Sequence, residues 1–196
     1  LCDRRQRQMC IRDSLYTEWK GSSLDAEFMI DMGAMYEPAF VEGHEYYRII
    51  THFFLHFGLE HLVNNMIALL VLGYTLEQDI GRIRYLILYM LSGILSGFVS
   101  VYVNWSLGEN VVSCGASGAI YGLMGALLMV LLKNRKQIVR GDIIRFGIYL
   151  VLSLYSGMQD SGIDNTAHLS GAVIGFILCG VLYRRKNKTD IRIGGY

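Results

Sequence analysis

Five apolar stretches, at about residues 61–76, 85–103, 117–132, 143–157 and 167–183, alternate with short charged connections, and this alternation constrains the fold more than any other feature of the chain. Segments of this length and hydropathy read as membrane-spanning helices, and several are short. A 16-residue helix is about 24 Å long against a hydrocarbon core of about 30 Å, so the short ones need shielding by protein or a locally thinned bilayer. Of the 196 residues, 53% are hydrophobic and only 18% charged; glycine is abundant at 22 and proline nearly absent at 1. The expected class is an all-α polytopic membrane protein of one domain, with the lipid bilayer as its solvent. A net charge of +1 supplies no basic field for nucleic acid, so a nucleic-acid partner is not expected. Cys2, Cys10, Cys114 and Cys179 lack paired spacing and read as free thiols.

The connections orient the bundle. Arg82 and Arg84, then Lys133, Arg135, Lys136 and Arg140, then Arg184, Arg185, Lys186 and Lys188 fall on alternate connections, which places those on the cytoplasmic side. The connections at 104–115 and 158–166 carry no Lys or Arg and hold Glu109, Asp160 and Asp164, so they are expected outside. Ser117 stands sixteen residues before Lys133, His168 sixteen before Arg184 and His61 sixteen before Glu77. Three polar residues on three helices therefore reach a similar level, about 24 Å above the inner boundary if the tilts are alike.

Polar side chains at membrane depth are costly and usually functional. Ser117 opens one apolar helix and His168 another, which suggests a nucleophile and its base. Gly118 and Gly122, like Gly171 and Gly175, are small residues four apart that allow two backbones to approach closely. Other motifs fail. His44-Glu45-Tyr46-Tyr47-Arg48 begins like the HExxH zinc signature but has Arg48 at the second histidine position. His52, His56 and His61 leave a helical metal site as an alternative, yet no carboxylate or cysteine completes a ligand set, and neither metal nor other cofactor is expected. The GxSxG elbow of soluble hydrolases needs glycine where Ala119 stands.

The blocks RIITHFFLHFGLEHLVNN from Arg48 to Asn65, the Glu77 and Gly81 turn, GASGAIYGLMG from Gly115, and AHLSGAVIG from Ala167 occur in the order found in rhomboid intramembrane serine proteases, and over about residues 33–183 the chain resembles that family. The resemblance implies a rhomboid-like helical bundle in which Ser117 is the nucleophile and His168 the general base, a dyad without a third carboxylate. It makes His61 and Asn65 the oxyanion donors; they are four apart, hence on one helix face, and the Ser117 backbone N–H at a helix N-terminus would be a third. Asn65 has an alternative reading as a bond to a neighbouring helix. Tyr121, one turn after Ser117, would orient the imidazole, with ordinary aromatic packing as its alternative. Gly115 and Gly118 flank the nucleophile, Gly171 and Gly175 follow the base, and His52 and His56 would tie down the outer loop beside the site. Tyr47-Arg48 stands where many members have Trp-Arg.

A rhomboid core has six spans, whereas five are visible here. Residues 1–13, LCDRRQRQMCIRD, hold four arginines and no spanning apolar run. The reading therefore expects residues 1–14 to be foreign to the fold, with the first helix lost before about Leu15. Residues 15–60 are read as the first outer loop region, 61–183 as the transmembrane core and 184–196 as a cytoplasmic tail. The implied activity is an intramembrane serine endopeptidase acting on transmembrane protein substrates near the outer face, in a multi-pass protein of a bacterial plasma membrane with a cytoplasmic C-terminus. The alternative is a non-catalytic rhomboid-like scaffold that binds transmembrane helices.

Overall fold

In the computed structural model, which describes residues 2–158 and 163–183, each apolar stretch is helical. The first forms α5 (Gly58–Ala68), a wider π-helical turn at Leu69–Gly73 and α6 (Tyr74–Ile80) as one continuous run. Gly81, at φ +85°, turns the chain sharply into α7 (Arg82–Leu107), a conformation that only glycine adopts without strain. α8 (Ser117–Lys133), α9 (Arg140–Gly157) and α10 (Asn165–Leu182) follow. Among the described residues, three helices are long and apolar enough to cross a membrane: Gly58–Ile80, Arg82–Leu107 and Asn165–Leu182. Ser117–Lys133 is apolar but shorter, matching the short span expected for it. α9 starts three residues before the apolar stretch and carries Arg140, Asp142 and Arg145 in its first two turns, which shortens its apolar length. The tail at 184–196 and Asp160 lie outside the described residues.

The centre of the bundle is a sandwich of α7, α8 and α10. Its helices touch backbone to backbone: a Cβ at Gly171 would overlap the Gly118 carbonyl oxygen, one at Gly175 the Gly122 oxygen, and one at Gly125 the Ala172 oxygen. Such contacts replace the hydrophobic drive that lipid does not supply. Larger side chains fill the remaining volume, with Tyr85, Leu88, Tyr89 and Leu123 fully buried. α9 sits outside this sandwich, and its Ile148, Tyr149, Leu152 and Tyr155 are exposed.

Residues 2–14, set apart by the sequence reading, belong to a longer helix, α1 (Cys2–Lys20), that runs through residue 14 without a break. Its buried stripe is Asp3, Gln6, Cys10, Ser14 and Thr17, spaced every three or four residues as a helix face requires but almost wholly polar. Each member has a partner. Asp3 pairs with Arg7 at 3.1 Å, Gln6 Oε1 accepts the Tyr85 hydroxyl at 3.0 Å, Cys10 donates to the Phe53 carbonyl and Ser14 to that of Phe54. Thr17 donates to the Asp13 carbonyl, and the Glu77 carboxylate accepts the N–H groups of Cys2 and Asp3, both at 3.1 Å.

The outer loop is held by one cation. Arg48, 4% exposed, donates from Nη1 to the carbonyls of Ile30 at 2.6 Å and Ala34 at 2.7 Å, while its other nitrogens reach Glu45. Around it lie α2 (Ala26–Asp31), α3 (Glu37–Val41), α4 (Arg48–Thr51) and a 3₁₀ turn at His52–Phe54. β1 (Met35–Tyr36) pairs antiparallel with β2 (Val112–Ser113), with Met35 opposite Ser113 and Tyr36 opposite Val112. The sequence reading did not foresee this two-residue pairing, because strands so short leave no periodicity. It fastens the outer loop to the segment that leads into Ser117.

Candidate active site

Ser117 is the first residue of α8, and the loop before it is shaped by Gly115 at φ +140°, where a side chain would be strained. Two backbone groups of that loop are pinned from outside. The Gly115 N–H donates to the His52 carbonyl at 2.8 Å, and the Ala116 N–H donates to His56 Nε2 at 3.4 Å. Burial pushes the His56 imidazole down to about 3, so the ring is neutral, and its tautomer follows from its neighbours. Ser14 Oγ gives its proton to the Phe54 carbonyl at 3.3 Å and therefore accepts from His56 Nδ1 at 3.0 Å, which leaves Nε2 as the acceptor. His52 is also pushed down by burial, to about 4, and its Nδ1 is taken up by the Arg48 carbonyl at 2.8 Å. Both residues thus act as hydrogen-bonding posts of the outer loop.

His168, one turn into α10, places Nε2 2.8 Å from Ser117 Oγ. The Tyr121 ring stacks on the imidazole with centroids 4.3 Å apart and planes 24° from parallel. From the other side His61 and Asn65, on adjacent turns of α5, converge on the glycine loop: a Cβ at Gly115 would lie 2.9 Å from His61 Cε1 and 3.6 Å from Asn65 Nδ2. Asn65 Nδ2 is buried and donates to no acceptor among the described residues. A cavity of about 1530 Å³ opens over Ser117, His168, His61 and Asn65 and runs along Tyr121 towards α9. Every side chain that the sequence reading assigned to the site borders this cavity or pins its wall. Gly118 and Gly171, and Gly122 and Gly175, set the distance between the helices that carry the serine and the histidine.

Further neighbours complete the surroundings of the site. The Tyr121 hydroxyl bonds Ser153 Oγ of α9 at 2.7 Å. Asp164, previously weighed only as an outside charge, caps α10: Oδ1 accepts the Ala167 N–H at 2.9 Å and Oδ2 the Ser100 hydroxyl at 2.6 Å. An acid three residues before a helical N–H is a capping signature, so this role was legible. Ser100 in turn accepts from Asn104, which also donates to Glu37 Oε1 at 3.1 Å. Glu37 is buried, which raises its carboxyl above the usual range, and it links the outer loop to the cap of the helix that carries His168.

The Rhomboid domain family model matches residues 43–185. The chain belongs to the rhomboid family. It is 34% identical to the rhomboid protease GluP of Bacillus subtilis over 165 residues, covering 84% of this chain and 31% of GluP. It is 40% identical to RHOMBOID-like protein 5 of Arabidopsis thaliana over 159 residues, covering 79% of this chain and 49% of that protein. RHOMBOID-like protein 1 of the same plant is 36% identical over 149 residues, 75% of this chain and 37% of the relative. The chain therefore spans 31% to 49% of the length of these curated relatives. As a rhomboid with several apolar helices it is a multi-pass membrane protein.

Proposed function

We propose that this rhomboid is an intramembrane serine endopeptidase that cleaves transmembrane segments near the outer face of the membrane. The observation that carries the reading is the 2.8 Å bond from Ser117 Oγ to His168 Nε2 inside a cavity walled by membrane helices. A hydroxyl at that distance can pass its proton to the imidazole as its oxygen attacks a peptide carbonyl. The oxyanion so formed would meet Asn65 Nδ2, His61 and the Ser117 N–H, donors whose individual removal costs about 3–4 kcal/mol of transition-state stabilisation in comparable sites. His168 then gives the proton to the leaving amine, and a water molecule entering from outside hydrolyses the acyl-enzyme with the same histidine as base. A substrate helix must unwind locally, since a regular helix keeps its carbonyls in its own hydrogen bonds. Arg82, Arg84, Lys133, Arg135 and Lys136 support an orientation that turns the inner connections and the C-terminus to the cytoplasm.

The test is covalent labelling by a fluorophosphonate probe in membranes. The proposal expects labelling of the parent chain and none of Ser117→Ala or His168→Ala. A parent that stays unlabelled while folded overturns it, and favours a scaffold that binds transmembrane helices without cutting them.

A further inference from the structure

For His168 to accept a proton at Nε2, its other ring nitrogen, Nδ1, must carry hydrogen. That Nδ1 is buried and meets no acceptor among the described residues. A second orphan lies close by: Asn165 Oδ1 is also buried and unpaired among them. The orientation of this amide is fixed by its other end, because Nδ2 donates to the carbonyls of Gly157 and Ile163, each at 3.1 Å. Both orphans border the same space beside Gly157, where a Cβ would lie 2.8 Å from Asn165 Oδ1 and 3.7 Å from His168 Nδ1. One is a donor and the other an acceptor. Left unmade, each would cost about 1–3 kcal/mol, and a polar niche with complementary partners is where buried water resides.

We infer that Asn165 is a positioning residue for His168, its Oδ1 and the imidazole Nδ1–H sharing one water molecule seated against Gly157. The ring donates to the water and the water donates to the amide oxygen. The dyad thereby gains a neutral third member from the first turn of the base's own helix. The other titratable side chains around the ring do not take this place. Tyr121 on α8 lies on its face, His61 belongs to α5, and Asp164 at the cap of α10 has its oxygens on Ala167 and Ser100. A neutral partner fixes the tautomer and ring angle without trapping the imidazolium as a carboxylate would.

This inference rests on the reading of Ser117 and His168 as nucleophile and base, and the experiment separates the two. Fluorophosphonate labelling rates are measured against pH for the parent chain, Asn165→Leu, Asn165→Asp and Gly157→Ala, with thermal melting of each. Gly157→Ala keeps the Asn165 side chain and puts a methyl group where the water would sit, 2.8 Å from Oδ1, so the amide must give way slightly. Its backbone is not in the left-handed region, so any loss of melting temperature reflects the displaced water and the contact with Asn165, and the melt shows that the variant is folded. Asn165→Leu and Gly157→Ala should label about 10- to 100-fold more slowly, the scale on which losing an outer-shell partner of a histidine acts elsewhere. Their acidic midpoints should fall, whereas a carboxylate in Asn165→Asp should raise the midpoint by about one pH unit. Parent-like rates in Asn165→Leu and Gly157→Ala, or slow rates with unmoved midpoints, overturn the inference and leave the protease reading intact. A folded parent that does not label overturns both.

Discussion

Gly171→Ala is the sharpest test of the idea that helix spacing, and not only the presence of serine and histidine, makes this site. Gly171 lies one turn beyond His168, with its Cα against the Gly118 carbonyl of the nucleophile's helix. A methyl group there overlaps that oxygen, and because packed interiors have little slack, α8 and α10 must part by about 1 Å. The Ser117–His168 bond of 2.8 Å would lengthen past hydrogen-bonding range. Misplacement on this scale costs about 10²-fold in rate, and overpacking costs about 1–3 kcal/mol in stability. Gly175→Ala, which meets the Gly122 oxygen one turn deeper, should act in the same direction. Two other glycines supply controls: a Cβ at Gly147 has nothing within 4 Å, and at Gly180 it meets only the mobile end of Met129 at 3.2 Å. Fluorophosphonate labelling rates in membranes, read beside thermal melting in detergent, give the comparison. A folded Gly171→Ala that labels as fast as Gly147→Ala would refute the argument.

Three further outcomes follow from contacts at the rim of the site. Ser153→Ala removes the 2.7 Å partner of the Tyr121 hydroxyl; an interhelical bond of this kind is worth about 0.6–1.7 kcal/mol, so labelling should slow about 3- to 20-fold, with Ser153→Thr restoring it. Arg48→Lys cannot serve two carbonyls and Glu45 at once, and should lower stability by about 1–3 kcal/mol, seen as a lower melting temperature and faster proteolysis of the outer loop. Acid should loosen that loop, because His52 and His56 are held down to about 4 and about 3 when folded but protonate near their ordinary 6.5 when exposed. Their contribution is present above pH 6.5 and declines as pH falls from there towards 4, so the protection of the Gly115 and Ala116 amides, relative to an unstructured amide at the same pH, should fall over that window; protection that stays level between pH 7.5 and 5 would contradict the assignment.

The spans could be read from the sequence because each left a strong local mark. Apolar runs between charged connections announced α5 to α10, and equal distances from the next charge along the chain set His61, Ser117 and His168 at one level. The paired glycines were legible for the same reason, since helical spacing fixes which face they occupy, whereas the place of Tyr121 came from the resemblance to rhomboids. α1 was not legible. Its buried face carries Asp3, Gln6, Cys10, Ser14 and Thr17, which a search for apolar periodicity passes over, and its partners lie 40 to 79 residues away at Phe53, Phe54, His56, Glu77 and Tyr85. Ser153 left no mark either, since a serine in an apolar helix gives no hint of which neighbour it will face. Asp164 could have been found from its spacing to Ala167, a local capping pattern outweighed by its charge.

The wide turn at Leu69–Gly73 has a consequence for how much length variation this part of the chain can bear. A π turn absorbs one residue more than the α-helix around it, so the segment below is rotated by about 100° relative to an uninterrupted helix. Above the turn, His61 and Asn65 face the cavity; below it, Glu77 meets the start of α1. Deleting any one residue of the turn would let the helix close up, with its exposed Leu70 and Val71 scarcely affected. The two halves would nevertheless fall out of phase, and either His61 and Asn65 or the α1 anchor would swing away. Variation here should therefore change the letters freely at Leu70 and Val71, keep Leu69, Leu72 and Gly73 small or apolar as their packing requires, and leave the length alone.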